Sequence, residues 1–163
     1  SELLGADFPH RWTQTAEYIA AMRELWSKDE ASYEGKYVKF TPVKCNPKPI
    51  QQPGPPVLIG SLDKNALKRV AKWADGWCPI GVPHTYLKNK LDELRRECDS
   101  TKRDFARLDI TAMGFVQGDR GAVQAGLDNY AKAGAHRFVI GVPSQLKSDQ
   151  YEAELTRLAS LYL

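Results

Sequence analysis

The sequence predicts an α/β fold of about four βα units on a parallel sheet, with a small β-hairpin ahead of them. Three observations carry this. Short apolar runs and amphipathic helical stripes alternate strictly after Pro56. The runs are continuously apolar, as strands buried on both faces are. They also recur every roughly 20–33 residues, the size of one βα unit.

Trp12, Thr15, Ile19, Met22 and Trp26 are spaced as one helical stripe. Tyr33-Glu34-Gly35-Lys36-Tyr37 then predicts a tight hairpin turning on Glu34-Gly35. From Pro42 to Pro56 the prolines forbid a helix. Because this stretch ends directly on an apolar strand, it reads as a rigid lead-in rather than a linker. Val57-Leu58-Ile59 is the first strand of the repeating region, ending at Gly60, and Leu62, Ala66, Leu67, Val70 and Ala71 form the helix after it. Gly76 to Ile80 is the second strand, followed by a helical seam of Leu87, Leu91, Leu94 and Cys98. Ile110 to Val116 is the third, followed by Val123, Leu127, Tyr130 and Ala131 on a helix that Gly134 stops. Arg137 to Val142 is the fourth, and Ser148 caps a last helix carrying Tyr151, Leu155, Leu158 and Tyr162. Periodicity alone leaves two architectures open, a flavodoxin-like sheet and a (β/α)₈ barrel. The amino terminus, Ser1 to Phe8, reads as the interior of a longer protein running into a helix with no strand before it.

The 163 residues suffice for one domain, 1–163, and a net charge of +3 with scattered lysines argues against a nucleic-acid partner. No apolar run approaches the roughly 18 residues of a membrane span, and no signal peptide opens the chain. Cys45, Cys78 and Cys98 are too few and too widely spaced for a disulfide framework or a zinc site. Cys98 reads as a small buried hydrophobe, and a reduced, cytoplasmic setting fits. His10, His84 and His136 share no metal or triad spacing and read as solvated. G-x-S-x-G, P-loop and G-x-G-x-x-G motifs are absent, which argues against serine hydrolases, nucleoside triphosphatases and Rossmann dehydrogenases.

The sharpest local signal is Pro56-Val57-Leu58-Ile59-Gly60-Ser61 with a helix behind it. Gly60 permits close approach of a ligand, Ser61 can cap the helix, and helix amides favour an anion. A plain strand-turn-helix step explains the same residues. Cys78 to Gly81, Gln117-Gly118-Asp119 and Gly141-Val142-Pro143-Ser144 end the other strands in comparable positions. Asp75 precedes its strand and reads as a structural turn or cap.

Taken together, the motifs resemble the luciferase-like monooxygenase family. Glu2-Leu3-Leu4-Gly5-Ala6-Asp7-Phe8-Pro9-His10-Arg11 is similar to the segment after the fourth barrel strand in that family. Glu17 to Trp26, Tyr33 to Tyr37, Pro47 to Gln51, Pro55 to Gly60, Ala74 to Trp77 and Ala133 to Arg137 follow in the family's order. The resemblance implies a partial (β/α)₈ barrel: the carboxyl-terminal half, with the first four strands preceding Ser1. It implies a flavin-type cofactor, FMN or coenzyme F-420, the deazaflavin branch being favoured, with a small-molecule substrate. The strand ending in Ile59-Gly60 would be the fifth. Its following amides match the family's phosphate position, which points to Gly60, Ser61 and Leu62, with Cys78 and Pro79 beside them. Many relatives have Gly-Gly where this chain has Gly60-Ser61.

No catalytic acid or base is evident, so the isolated chain is expected to lack turnover. Its open strand edges are expected to drive it into a homodimer. Two other readings stay open: a non-catalytic flavin-binding protein on the same scaffold, and an unrelated phosphate-binding α/β domain.

Overall fold

A computed structural model describes residues 7–142 and 145–162, the side chains of residues 161 and 162 excepted. Glu2 to Ala6 of the first motif, Pro143-Ser144 and the Tyr162 side chain lie outside the described residues. The chain divides into two compact units, Ser1–Val57 and Leu58–Leu163.

In the first unit a 3-10 turn, Phe8–His10, leads into helix α1 (Arg11–Ser27), and strands β1 (Ala31–Glu34) and β2 (Lys39–Val43) pair antiparallel. The hairpin turns at Gly35 to Val38, one step later than its sequence suggests, and the Gly35 N–H donates to the Val38 carbonyl at 2.8 Å. One carboxylate fixes this turn to α1. Glu17 accepts the backbone N–H groups of Lys36, Tyr37 and Val38 at 3.1, 2.6 and 2.6 Å. The clamp also sets the rotation of α1. Ala21, one turn beyond Glu17, is buried with Ile19, whereas Met22 of the predicted stripe is 40% exposed.

The proline-rich segment does more than lead into a strand. Lys48 Nζ donates to the carbonyls of Leu25, at 2.8 Å, and Lys28. A cation is thereby held at the negative end of α1. Gly54 lies against Trp26 so closely that a Cβ there would sit 2.5 Å from the indole.

The second unit contains β3 (Leu58–Ile59), α2 (Ala66–Trp73), β4 (Gly76–Trp77), α3 (His84–Thr101), β5 (Asp109–Gly114), α4 (Arg120–Ala133), β6 (Arg137–Ile140) and α5 (Ser148–Tyr162). Its four-stranded sheet runs β3-β4-β5-β6, parallel throughout. Helix α2 packs on α3, and α3 on α4, so the helices follow one another across the sheet as the strands do. A doubly wound sheet reverses its strand order at a switch point, but a barrel segment does not. Sequential order therefore decides between the two architectures left open by periodicity.

The strands are shorter than the apolar runs. β4 stops at Trp77 because Pro79 has no N–H to continue the ladder. Pairing resumes through the Pro79 carbonyl, which accepts from Met113 N at 3.0 Å, and through Gly81 N, which donates to the Met113 carbonyl at 2.8 Å. The seam of α3 is as read: Leu87, Leu91, Leu94 and Cys98 are all buried, and burial pushes the Cys98 thiol up. Burying each leucine stabilises the fold by roughly 1.5–3 kcal/mol. Asp119 caps α4 by accepting from Ala122 N at 2.9 Å, and Gly134 ends it at φ +107°. His10 and His136 are exposed as expected and His84 is half-buried, yet the last two are held by neighbours. His84 packs edge-on to Tyr130, and His136 Nδ1 accepts from the Ile110 N–H at 3.2 Å. Among the described residues no helix is long and apolar enough to cross a membrane.

Two tests follow from this packing. A Cβ on Gly76 would lie 2.1 Å from the Asp109 carbonyl oxygen, so Gly76→Ala must push β4 off β5. Overpacking of this kind typically costs about 1–3 kcal/mol; chemical denaturation should show it, and an unshifted midpoint would contradict the register. For Glu17, desolvation raises the pKa, but the amides of Val38, Tyr37 and Lys36, with the Lys36 charge, outweigh it and hold the carboxyl below its ordinary value. A depressed carboxylate stabilises the fold above its unfolded pKa of about 4.3, and this contribution is lost as pH falls through the folded value. The amide resonances of Lys36 to Val38 should therefore move together in acid below that range. Glu17→Gln should abolish the transition, and its persistence in that variant would exclude the clamp as its cause.

Candidate functional site

In a parallel sheet with crossover helices the strand ends gather on one side, where ligands bind. Trp77 fixes which way each side chain points there. Its indole lines a small cavity with Ala66, Leu67 and Tyr86 among the helices, and its Nε1 donates to the Ser61 carbonyl at 3.1 Å. Alternation along a strand then turns Cys78 to the opposite, inner face.

The register extends that face across the sheet. Thr111 is level with Arg137, Ile80 with Met113, and Met113 with Val139. Toward the amino ends the inner face is polar. Asp109 accepts the Thr111 hydroxyl at 2.7 Å and pairs with Arg137 at 3.2 Å. Toward the carboxyl ends it is apolar and open: Ile80, Phe115 and Val139 are 54%, 62% and 38% exposed. A Cβ on Gly141 would meet the Phe115 ring at 3.0 Å, so glycine lets that ring come close to the end of β6.

The sequence-predicted site residues divide in this frame. Gly60 and Cys78 come together: Cys78 N donates to the Ile59 carbonyl at 2.8 Å, and a Cβ on Gly60 would sit 3.4 Å from the Cys78 carbonyl. Burial pushes the Cys78 thiol up, Asp109 adds to this and Arg137 opposes it, so the thiol stays protonated at neutral pH. Leu62 lies over the cavity shared with Trp77 and Tyr86 and is turned away from the inner face. Pro79 is buried, leaving its side chain no surface for a ligand.

Ser61 does not cap the following helix. α2 begins at Ala66 with Asn65 in the capping position, after an intervening turn built by Asp63. The Ser61 hydroxyl donates to Asp63 at 2.7 Å, Asn65 N donates to the same carboxylate at 2.8 Å, and Arg69 reaches it at 2.6 Å. The Ser61 hydroxyl is the main influence holding Asp63 below its ordinary pKa, with desolvation opposing and Asn65 and Arg69 assisting. The start of α2 therefore already holds a negative charge. Among the described residues, the amides of Ser61 and Leu62 enter none of these turn hydrogen bonds. An anion at this turn would have those amides to meet on the strand side of Asp63 in the chain.

Asp63, Arg69 and the inner-face row were not singled out from sequence. The row had a signal: Asp109, Thr111, Met113 and Phe115 alternate with Ile110, Ala112 and Gly114, so β5 is two-faced rather than uniformly apolar. Asp75 joins α2 to β4: its backbone carbonyl accepts from Asp109 N at 2.9 Å and its carboxylate lies 4.0 Å from Arg103. Trp77→Phe would delete the hydrogen bond that anchors Ser61. A net loss of about 1 kcal/mol is expected, with faster amide exchange in the 61–65 turn; unchanged exchange there would show that Trp77 does not hold it.

Known proteins share this architecture. The family model described as luciferase-like monooxygenase matches residues 1–161. An uncharacterized protein of Mycobacterium tuberculosis (strain ATCC 25618 / H37Rv) is 49% identical over 152 residues, covering 92% of this chain and 50% of that protein. The chain thus spans about half the length of the curated relatives first matched. Among solved structures, an F-420-dependent secondary alcohol dehydrogenase in complex with an F-420-acetone adduct superposes with a TM-score of 0.69 at 14% identity, over 82% of this chain and 56% of that one. The coenzyme F-420-dependent tetrahydromethanopterin reductase from Methanopyrus kandleri gives 0.66 at 15% identity, over 78% and 58%. A monooxygenase from Streptomyces bottropensis gives 0.67 at 13% identity, over 99% and 63%. These neighbours are TIM-barrel enzymes. Sequential parallel strands, helices following them across the sheet, and a family match running the length of the chain lead to one conclusion: this chain belongs to the luciferase-like monooxygenase family.

Proposed function

We propose that residues 1–163 are the carboxyl-terminal part of a single luciferase-like barrel whose complete form is a flavin- or deazaflavin-dependent oxidoreductase or monooxygenase. This part holds the phosphate end of the cofactor. The observation that carries the reading is the turn after β3. Gly60 meets Cys78 at the carboxyl end of the sheet, whose inner face is apolar and exposed at Ile80, Phe115 and Val139, and the Ser61 and Leu62 amides follow directly. Backbone amides beside a glycine suit a phosphate, because they donate without a side chain in the way. Leu62 enters through its amide, Cys78 as a neutral wall beside Gly60, and Pro79 only by placing Cys78.

The cofactor, FMN or coenzyme F-420, supplies hydride transfer or, with FMN, dioxygen activation. The chain's own residues bind and exclude. Ile80, Met113, Phe115 and Val139 form an apolar wall for an apolar ring or a small substrate. The charges of Asp109 and Arg137 stay paired at the far end of the same face. The described residues place no unpartnered acid or base at this wall, so the proton-handling groups are assigned to the upstream half.

Two outcomes test the reading. The chain alone should show no turnover with reduced FMN plus oxygen or with reduced F-420, and robust turnover on either would overturn the half-barrel assignment. In a parent-length protein, Gly60→Val should weaken cofactor binding by more than about 1 kcal/mol, since a branched side chain would fill the anion's space. Unchanged affinity in a calorimetric titration would move the phosphate elsewhere, to the turn after β6 for instance.

A further inference from the structure

The turn after β3 carries a fixed negative charge beside the amides assigned to the phosphate. Asp63 lies two residues beyond Ser61, and both oxygens of its carboxylate are engaged. Oδ2 accepts the Ser61 hydroxyl at 2.7 Å, Oδ1 accepts Asn65 N at 2.8 Å, and Arg69 Nη1 reaches the two oxygens at 2.6 and 2.8 Å. The Ser61 hydroxyl gives its one proton to Asp63 and accepts from Asp63 N at 3.2 Å, so it has none left for a second anion. That hydroxyl, with Asn65 N and Arg69, outweighs desolvation and holds the Asp63 carboxyl below its ordinary value. The group is therefore charged throughout the neutral range. The cations nearby are engaged or directed elsewhere. Arg69 is on Asp63 itself, Lys90 of α3 pairs with Glu93 at 2.7 Å, and Lys64 lines the small helix-side cavity with Trp77 and Tyr86. Across the strands the Cys78 thiol is neutral, and Arg137 pairs with Asp109 at 3.2 Å.

Resting on the phosphate reading above, we infer that Asp63 is a specificity-determining residue that makes this turn select a phosphate with a single charge. It favours a phosphodiester, as in coenzyme F-420, over a phosphomonoester, as in FMN. A phosphomonoester carries about 1.5–2 negative charges at neutral pH. A diester has no second proton to lose and carries one. The donors left at the turn are the Ser61 and Leu62 amides, which enter none of its hydrogen bonds among the described residues. These neutral N–H groups suit a single charge. A second one finds no cation turned toward it and faces the Asp63 carboxylate. The same carboxylate offsets the attraction that the amino terminus of α2 would otherwise offer. One further unit charge beside Asp63 is expected to cost roughly tenfold in affinity, once salt and the Arg69 guanidinium have screened it. The selection lies in the charge of the phosphate and is independent of the ring.

Calorimetric titration of a parent-length protein tests this with matched pairs of probes. They are the 5′-phosphates of the flavin and of the deazaflavin, each as the free monoester and as its methyl diester. Ring and side chain are constant within a pair, so the ratio of the two affinities reads the phosphate charge. At about pH 8 the diester should bind roughly tenfold more tightly than the monoester, about 1.4 kcal/mol, for whichever ring the protein accepts. At about pH 5.5 the monoester, whose second pKa is about 6, regains its proton while Asp63 stays ionised, and the ratio should fall to about one. Asp63→Asn keeps an acceptor for the Ser61 hydroxyl but removes the charge, and should bring the ratio near pH 8 to within about twofold. Should that variant fail to fold, the pH series on the unaltered protein decides by itself. A ratio at or below one near pH 8, or one that acid leaves unchanged, overturns the selection. So does a folded Asp63→Asn variant with the parent's ratio. Gly60→Val separates this from the underlying reading. If it weakens both members of a pair while their ratio stays flat with pH, the phosphate site stands and the selection alone falls. If it weakens neither, or if no probe binds the unaltered protein, the phosphate reading falls and the selection with it.

Discussion

The approach of Gly76 to the Asp109 carbonyl is the contact on which the candidate site depends. β4 contributes only Gly76 and Trp77 to the ladder, yet it is the bridge between β3 and β5. With no side chain at Gly76 the two backbones close, and Trp77 is left pointing into the helices, where it holds the Ser61 carbonyl. The same step turns Cys78 inward. One glycine thus places the turn after β3, the direction of the neighbouring thiol and the level of the inner-face row, each by backbone geometry.

Charge then sorts what this rim can hold. A helix amino terminus ordinarily attracts an anion, but here Asp63 already occupies the approach to α2, charged and bonded to Ser61, Asn65 and Arg69. Like charges repel, so a phosphate at this turn must be held from the strand side by amides. On the proposed reading, its ring-bearing end would then be directed toward the apolar inner face. The Asp63–Arg69 pair is a fixed fence that helps to define the site, and its partial exposure limits how much it adds to stability.

Much of this architecture was legible in the sequence because strands and helices of βα units carry different periods. The α3 seam of Leu87, Leu91, Leu94 and Cys98 and the stop at Gly134 needed no tertiary information, and the ordered motifs identified the family. The errors came where tertiary contacts override local pattern. Spacing alone put Met22 in the core, but the Glu17 clamp rotates α1 so that Met22 is exposed. Ser61 has the chemistry of a cap, but Asp63 two residues later competes for its hydroxyl, which displaces the helix start to Ala66. The proline-rich stretch gave no hint that Lys48 and Gly54 dock on the end of α1, because such contacts leave no periodic trace. Pro79 has the position of a site residue at the end of its strand, but its side chain is fully buried, which position alone does not reveal.

The claim at the centre of this account is that the turn after β3 holds the phosphate end of a flavin-type cofactor. A crystal structure of a parent-length protein with FMN or coenzyme F-420 bound tests it most directly. The account predicts a phosphate oxygen within hydrogen-bond distance of the Ser61 and Leu62 amides, with the ring lying toward Ile80 and Met113. A phosphate bound instead at the turn after β6, with the β3 turn still closed around Asp63, would contradict it.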